Sequence, residues 1–175
     1  MAERQEQAAP DAVLTRIGQM VMLYHGGDRE EARRRLLDLW AELGEDGDPL
    51  HRCTLAHYLA DTQDDPSDEL AWDLRALSAA EELTAGQSEG DPARLRAFFP
   101  SLHLNLAADY VKLGRSEAAR VHLHRARRTA GSLVDDGYGD GVRAEIIRLE
   151  LRLGEDGPAG RGGGDSWGPP RQRPY

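Results

Sequence analysis

The chain has 175 residues, with 31 acidic and 22 basic side chains and a single cysteine. That is enough length to bury a core and too little sulfur for an intramolecular disulfide or a cysteine-rich zinc module. A formal charge of −9 works against nucleic-acid binding, which depends on neutralising phosphates, and no apolar run nears the ~20 residues of a membrane span.

The first residues, MAERQEQAAPD, lack the basic-then-apolar pattern of an export signal, which points to the cytoplasm. They read as a flexible polar arm over 1–9. Helix punctuation then starts at Pro10, since proline suits a first turn. Val13, Ile17, Met20, Val21 and Tyr24 recur at three- and four-residue spacing and give one apolar face. Gly26-Gly27 ends this helix. Asp28 followed by Glu31 predicts a capping box, with Ala32, Leu36, Leu39, Trp40 and Leu43 as the buried stripe and Gly44 as the stop. Asp48-Pro49 and Asp65-Pro66 are two further start signals, and Gly86 closes the second of those helices. Asp91-Pro92 predicts a short helix over 94–99. The strongest pair follows, over 101–113 and 117–129. Gly137 to Gly141 reads as a turn, and Val142, Ile146, Leu149 and Leu153 form a last stripe that Gly154 ends. Residues 154–175 hold 7 Gly and 4 Pro, a composition that predicts disorder. Few valines and isoleucines among many Ala, Leu, Arg and Glu favour helix. The expected fold is all-α, with hairpins at about 10–44, 48–86 and 100–132, a capping helix over 140–153 and a tail. Of the 22 basic residues, 21 are arginine, read as the mark of GC-rich bacterial coding.

The segment LHLNLAADYVKLGRSEAARVHLHRARRTA, Leu102 to Ala130, resembles one tetratricopeptide repeat. Leu106, Ala107, Tyr110, Gly114, Ala119, Leu123 and Ala126 fill the family's offsets. Met20, Leu23, Gly27, Ala32, Leu36 and Leu39 fill the same offsets in the first hairpin. The middle one matches only at Leu55, Ala56, Leu59 and Ala71, with TQDDPSDE in place of the short glycine turn. Gly27 and Gly114 lie 87 residues apart, which breaks the 34-residue register. The resemblance implies a right-handed stack of about three antiparallel hairpins whose neighbours bury one another's apolar faces, with the last helix as a cap.

Catalytic and metal-binding patterns are declined. Asp61, Gln63 and Asp65 have calcium-loop spacing, but Pro66 and Trp72 stand where glycine and glutamate are needed. His122 and His124 point to different sides of one helix, with His103 on the neighbouring helix. Cys53 and His57 share a helix face, which more often means a buried thiol beside a half-buried histidine than a nucleophile. The clusters Arg33-Arg34-Arg35 and Arg125-Arg127-Arg128 read as solvated helix faces. PPRQRP, from Pro169, reads as plain tail. No catalytic, cofactor or metal residue is assigned, no cofactor is expected, and the chain is not read as an enzyme.

Charge is the remaining signal. Glu42 to Asp91 balances to −12, whereas Ser101 to Val134 balances to +4, so the potential changes sign along the stack. The resemblance implies a non-enzymatic, protein-interaction adaptor that binds a peptide or helical segment on its concave face. The lining it implies is Leu14, Ile17, Val21 and Tyr24 from the first hairpin, Cys53, His57 and Asp61 from the second, and Leu104, Asn105, Ala108 and Lys112 from the third. The family's carboxylate clamp lacks its residues here, since Ile17 and Val21 occupy those positions. Apolar residues at one end with Asn105 and Lys112 at the other suit a partner with hydrophobic anchors and an acidic group. A self-associating structural homodimer through the first helix is the alternative.

Overall fold

The computed structural model describes residues 2–86 and 98–155, and the side chains of 12–86 and 98–154 among them. The helices are α1 (Ala2–His25), α2 (Arg29–Leu43), α3 (Pro49–Asp61), α4 (Pro66–Ala85), α5 (Phe98–Lys112), α6 (Ser116–Thr129) and α7 (Gly137–Glu155). A 3₁₀ turn, Ala130–Ser132, follows α6. Among the described residues there is no strand.

Glycine geometry makes the first and third hairpins alike. Gly27 has φ +97° and Gly114 φ +69°, the left-handed region that only glycine enters without strain. Around Gly27, its own amide bonds Tyr24 O at 3.0 Å and the Asp28 amide bonds Leu23 O at 3.2 Å. Around Gly114 the same two bonds run to Val111 O at 3.0 Å and from Arg115 to Tyr110 O at 2.8 Å. This closing of the last turn satisfies carbonyls the helix leaves open. Ala32 and Ala119, five residues on, are both fully buried, so the register predicted from sequence holds in space. Both helices of the middle hairpin start from side-chain caps instead. The Asp48 carboxylate accepts from the Leu50 and His51 amides, and the Asp65 carboxylate from Ser67, each with proline in the first helical turn.

Consecutive helices pack as α1–α2, α3–α4 and α5–α6. Contacts between α2 and α3 and between α4 and α5 join the pairs, and α7 lies on α6 and α5. Three apolar interiors result. Ile17, Met20, Leu36, Leu39, Leu55 and Leu59 fill the first, between the first pair and α3. Cys53, Ala56, Leu70, Ala76, Leu77, Leu102 and Leu106 fill the second. Leu104, Ala107, Ala119, Leu123, Ala126, Val142, Ile146, Leu149 and Leu153 fill the third. Trp40 and Trp72, edge to face with ring centres 5.0 Å apart, belong to the first two interiors, and Tyr110 to the last two. Each hairpin therefore completes its neighbour's core, as a repeat stack requires.

Several boundaries differ from the sequence reading. α1 starts at Ala2 rather than Pro10. Ala, Glu, Arg and Gln are strong helix formers, and the helix runs on through Pro10, which removes one backbone donor. The expected capping box is not made, because the Asp28 side chain makes no cap bond and Arg34 and Arg35 hold Glu31, drawing its carboxyl down to about 2. α5 begins at Phe98, with Pro100 inside its first turn; the rest of the expected 94–99 helix lies outside the described residues. α7 begins at Gly137 because the Asp136 carboxylate accepts from the Gly139 amide at 2.8 Å. It runs past Gly154 to Glu155. Of the predicted tail, residues 156–175 lie outside the described residues. Ala71 is only half-buried, and Ala76, Ala79 and Ala80 are the buried small residues of α4. Ile147 and Leu151 stand exposed on α7, so the outer side of the capping helix is not wholly polar.

Candidate functional site

The first helices of the three pairs are joined by side-chain hydrogen bonds. The Tyr24 hydroxyl, in the last turn of α1, donates to the Asp61 carbonyl of α3 at 3.2 Å. The Asn105 amide of α5 lies 3.1 Å from His57 Nδ1 of α3 and donates to it. The Asp61 carboxyl is pushed up by burial, against the opposing pull of His57, and it also feels Glu69, Lys112 and His25. Tyr24, His57, Asp61, Asn105 and Lys112 thus form one polar seam that crosses all three pairs.

The other lining candidates divide by burial. Leu14 is exposed, and Val21 and Ala108 keep part of their surface. Ile17 at 1% exposure, Cys53 at 3% and Leu104 at 7% belong to the three interiors and present nothing to a partner. Family offsets place Cα positions on a face; the half-turn that decides whether a side chain points into the stack or across it follows from packing.

Lys112 is already neutralised. Its ammonium donates to both Glu69 oxygens at 2.7 Å and lies 3.8 Å from Asp109. The acidic anchor expected for it has no free cation to meet, and with Asp61, Glu69 and Asp109 beside one lysine the seam is carboxylate-rich.

Behind the seam lie two residues that sequence reading missed. Asp73 of α4 and Asp109 of α5 are 2% and 1% exposed; their carboxyls interact with one another, and each keeps one buried oxygen without a hydrogen-bond partner. Burial pushes Asp73 up to about 9, helped by the neighbouring Asp109 charge. Burial also raises Asp109, to about 6. His57 Nδ1 is 3.9 Å from Asp73, and burial lowers its pKa, keeping the ring neutral. The signal was present in the pattern. Asp73 follows Leu70 and precedes Ala76 and Leu77, while Asp109 sits between Leu106 and Leu113, so each interrupts an apolar stripe with a charge.

Cys53 and His57 do not make an activated pair. Burial, with Asp73 nearby, pushes the thiol up to about 11, the opposite of what a nucleophile needs. His103 and His122 do meet, Nδ1 to Nδ1 at 3.1 Å, one ring donating and the other accepting, with Tyr110 stacked on His122. Burial lowers His103 to about 4. Among the described residues no group of three or more His, Cys, Asp or Glu is placed to hold a metal. The turn after α3 is structural: Arg29 and Arg33 of α2 donate to the Thr62 and Gln63 carbonyls and pair with Asp64. Arg33 is therefore a clamp between the first two pairs, not a solvated cation. Arg127 is paired with Glu150.

Residues 100–125 match the family model described as tetratricopeptide repeat. No curated protein and no solved structure matches the chain. The matched residues run from the first turn of α5 into the last turns of α6 and include Gly114. With the paired helices, this makes the chain similar to tetratricopeptide-repeat proteins, a helical repeat fold whose members generally serve protein–protein interaction. Among the described residues, no helix is long and apolar enough to cross a membrane.

Proposed function

We propose that the chain is a non-enzymatic adaptor in the bacterial cytoplasm. It takes a segment of a partner protein along the face shared by α1, α3 and α5. The observation that supports this most is the pair of bonds joining those helices, Tyr24 to Asp61 and Asn105 to His57, which make one continuous surface from three repeats. Leu14 and Val21 offer apolar contact at one end. Asp61 of α3 and Glu69 of the adjoining α4 add carboxylates beside Lys112, which Glu69 already pairs. The partner segment that fits carries hydrophobic anchors and a basic group rather than an acidic one. The test is a photo-crosslinking amino acid at Tyr24 or Ala108, with Leu74 on α4 as the off-face control. Adducts from the first two positions alone support the reading; adducts from Leu74 alone, or from none of the three, contradict it.

A second reading, a self-associating homodimer, has one observation in its favour. The end helices carry exposed apolar residues, Met22 at 74% on α1 and Leu151 at 64% on α7. Light scattering across concentration separates the two readings, since a tight constitutive dimer favours the second.

A further inference from the structure

We propose that Asp73 and Asp109 form a one-proton latch between the second and third hairpins: the Asp73 carboxyl donates to the Asp109 carboxylate, and loss of that proton loosens the α4–α5 junction.

A carboxylate oxygen only accepts hydrogen bonds. Two carboxylates in contact therefore satisfy neither partner and repel, whereas one proton between them makes a donor and an acceptor. The surroundings demand that proton. Asp73 Oδ1 and Asp109 Oδ2 are buried with no hydrogen-bond partner, amid an interior of Cys53, Leu70, Ala76, Leu102 and Leu106. The charged and titratable groups facing the pair are Cys53, His57 and Asp61 from α3, Glu69 from α4 and Lys112 from α5. His57 is neutral and accepts from Asn105. Lys112, the one cation, is shared with Glu69 and stands 3.8 Å from Asp109. A single charge on Asp109 is thus partly balanced, while a second on buried Asp73 would make four carboxylates, with Asp61 and Glu69, around one lysine. The proton therefore resides on Asp73.

The two residues lie on the helices that join one hairpin to the next, so the bond spans a repeat boundary. The sign follows from linkage. The folded pair keeps a proton that an unfolded aspartate loses near the ordinary carboxyl range. Stability conferred in acid is lost as pH rises through neutrality, and the loss levels off where Asp73 itself ionises, near 9.

Asp73→Asn tests this, because the amide is a permanent donor of the same shape. The full chain is unfolded in guanidinium at pH 7 and pH 8, above the ordinary histidine range and below that of free thiols. One proton of difference changes the folding equilibrium tenfold per pH unit. The wild type should lose about tenfold between the two pH values. The variant should lose less than about twofold and be the more stable at pH 8. Equal slopes for the two proteins would overturn the proposal. Should the variant not fold, carboxyl ¹³C NMR of the unaltered chain decides: one aspartic acid still protonated at pH 7 supports the latch, and complete ionisation of every aspartate below pH 6 refutes it. Amide-exchange protection of Ala76–Ala80 and Leu102–Leu106 should fall from pH 7 to pH 9 in the wild type by more than that of α1 and α2. An equal fall throughout the chain would show that no local junction is involved.

Discussion

Leu55→Ala measures how far the hairpins depend on one another. Leu55 belongs to α3, is fully buried, and packs among Ile17 and Met20 of α1 and Leu36 and Leu39 of α2. The substitution removes three carbons, worth about 0.8 kcal/mol each on transfer from water, or roughly 2.4 kcal/mol. The cavity left in a junction held by two other helices adds to this and brings the cost to about 3–5 kcal/mol. Domains of this kind are stable by only about 5–15 kcal/mol, so the loss is large. Guanidinium unfolding followed by far-UV circular dichroism reads it, with Leu74→Ala as a control. Leu74 is 41% exposed on α4, and its truncation should cost less than about 1 kcal/mol. A shared interior further requires that Leu55→Ala shift the whole transition as one step. A loss below about 1 kcal/mol, or a split curve whose second step keeps the wild-type midpoint, would refute the claim that the first and second hairpins complete each other's core.

Gly114→Ala should cost about 1 kcal/mol through backbone strain alone, since φ is +69° and a Cβ would meet nothing within 4 Å. Gly131→Ala, equally uncrowded and without the positive φ, should be neutral or slightly stabilising; thermal melts of the two variants check the contrast. Cys53 should label slowly with a thiol-specific disulfide reagent at pH 8, because burial raises its pKa to about 11 and only the thiolate attacks. Its rate should rise to that of a free thiol in denaturant, and fast labelling of the native chain would show that the second interior is not closed.

The elements and their pairing were largely legible in the sequence because their signals are local. Gly27, Gly114, Asp48-Pro49 and Asp65-Pro66 act within a single turn of chain, and all four act as expected. Boundaries were lost where two local signals compete. Pro10 marks a helix start, yet strong helix formers precede it. Glycine at 137 and 139 reads as a turn until the Asp136 cap outweighs it. The candidate surface was legible only in part. Tyr24, His57, Asp61, Asn105 and Lys112 come together as a seam, but Ile17, Cys53 and Leu104 turn inward to fill cores that three helices must jointly define. Lys112 looked like a free cation because its partner Glu69 is 43 positions away, beyond any local pattern. Asp73 and Asp109 were visible as interruptions of apolar stripes, and a charge inside a stripe is a stronger pointer than a charge on a face.

The central claim, that the first helices of three pairs lie side by side, is tested most directly by a spin label at Asp61→Cys in a Cys53→Ala background. Asp61 is bonded to Tyr24 and lies within the fields of His25 and Lys112. The amide signals of Tyr24 and His25 and that of Lys112 should all broaden by paramagnetic relaxation. Broadening at α1 without broadening at Lys112, or the reverse, would contradict a continuous three-helix face.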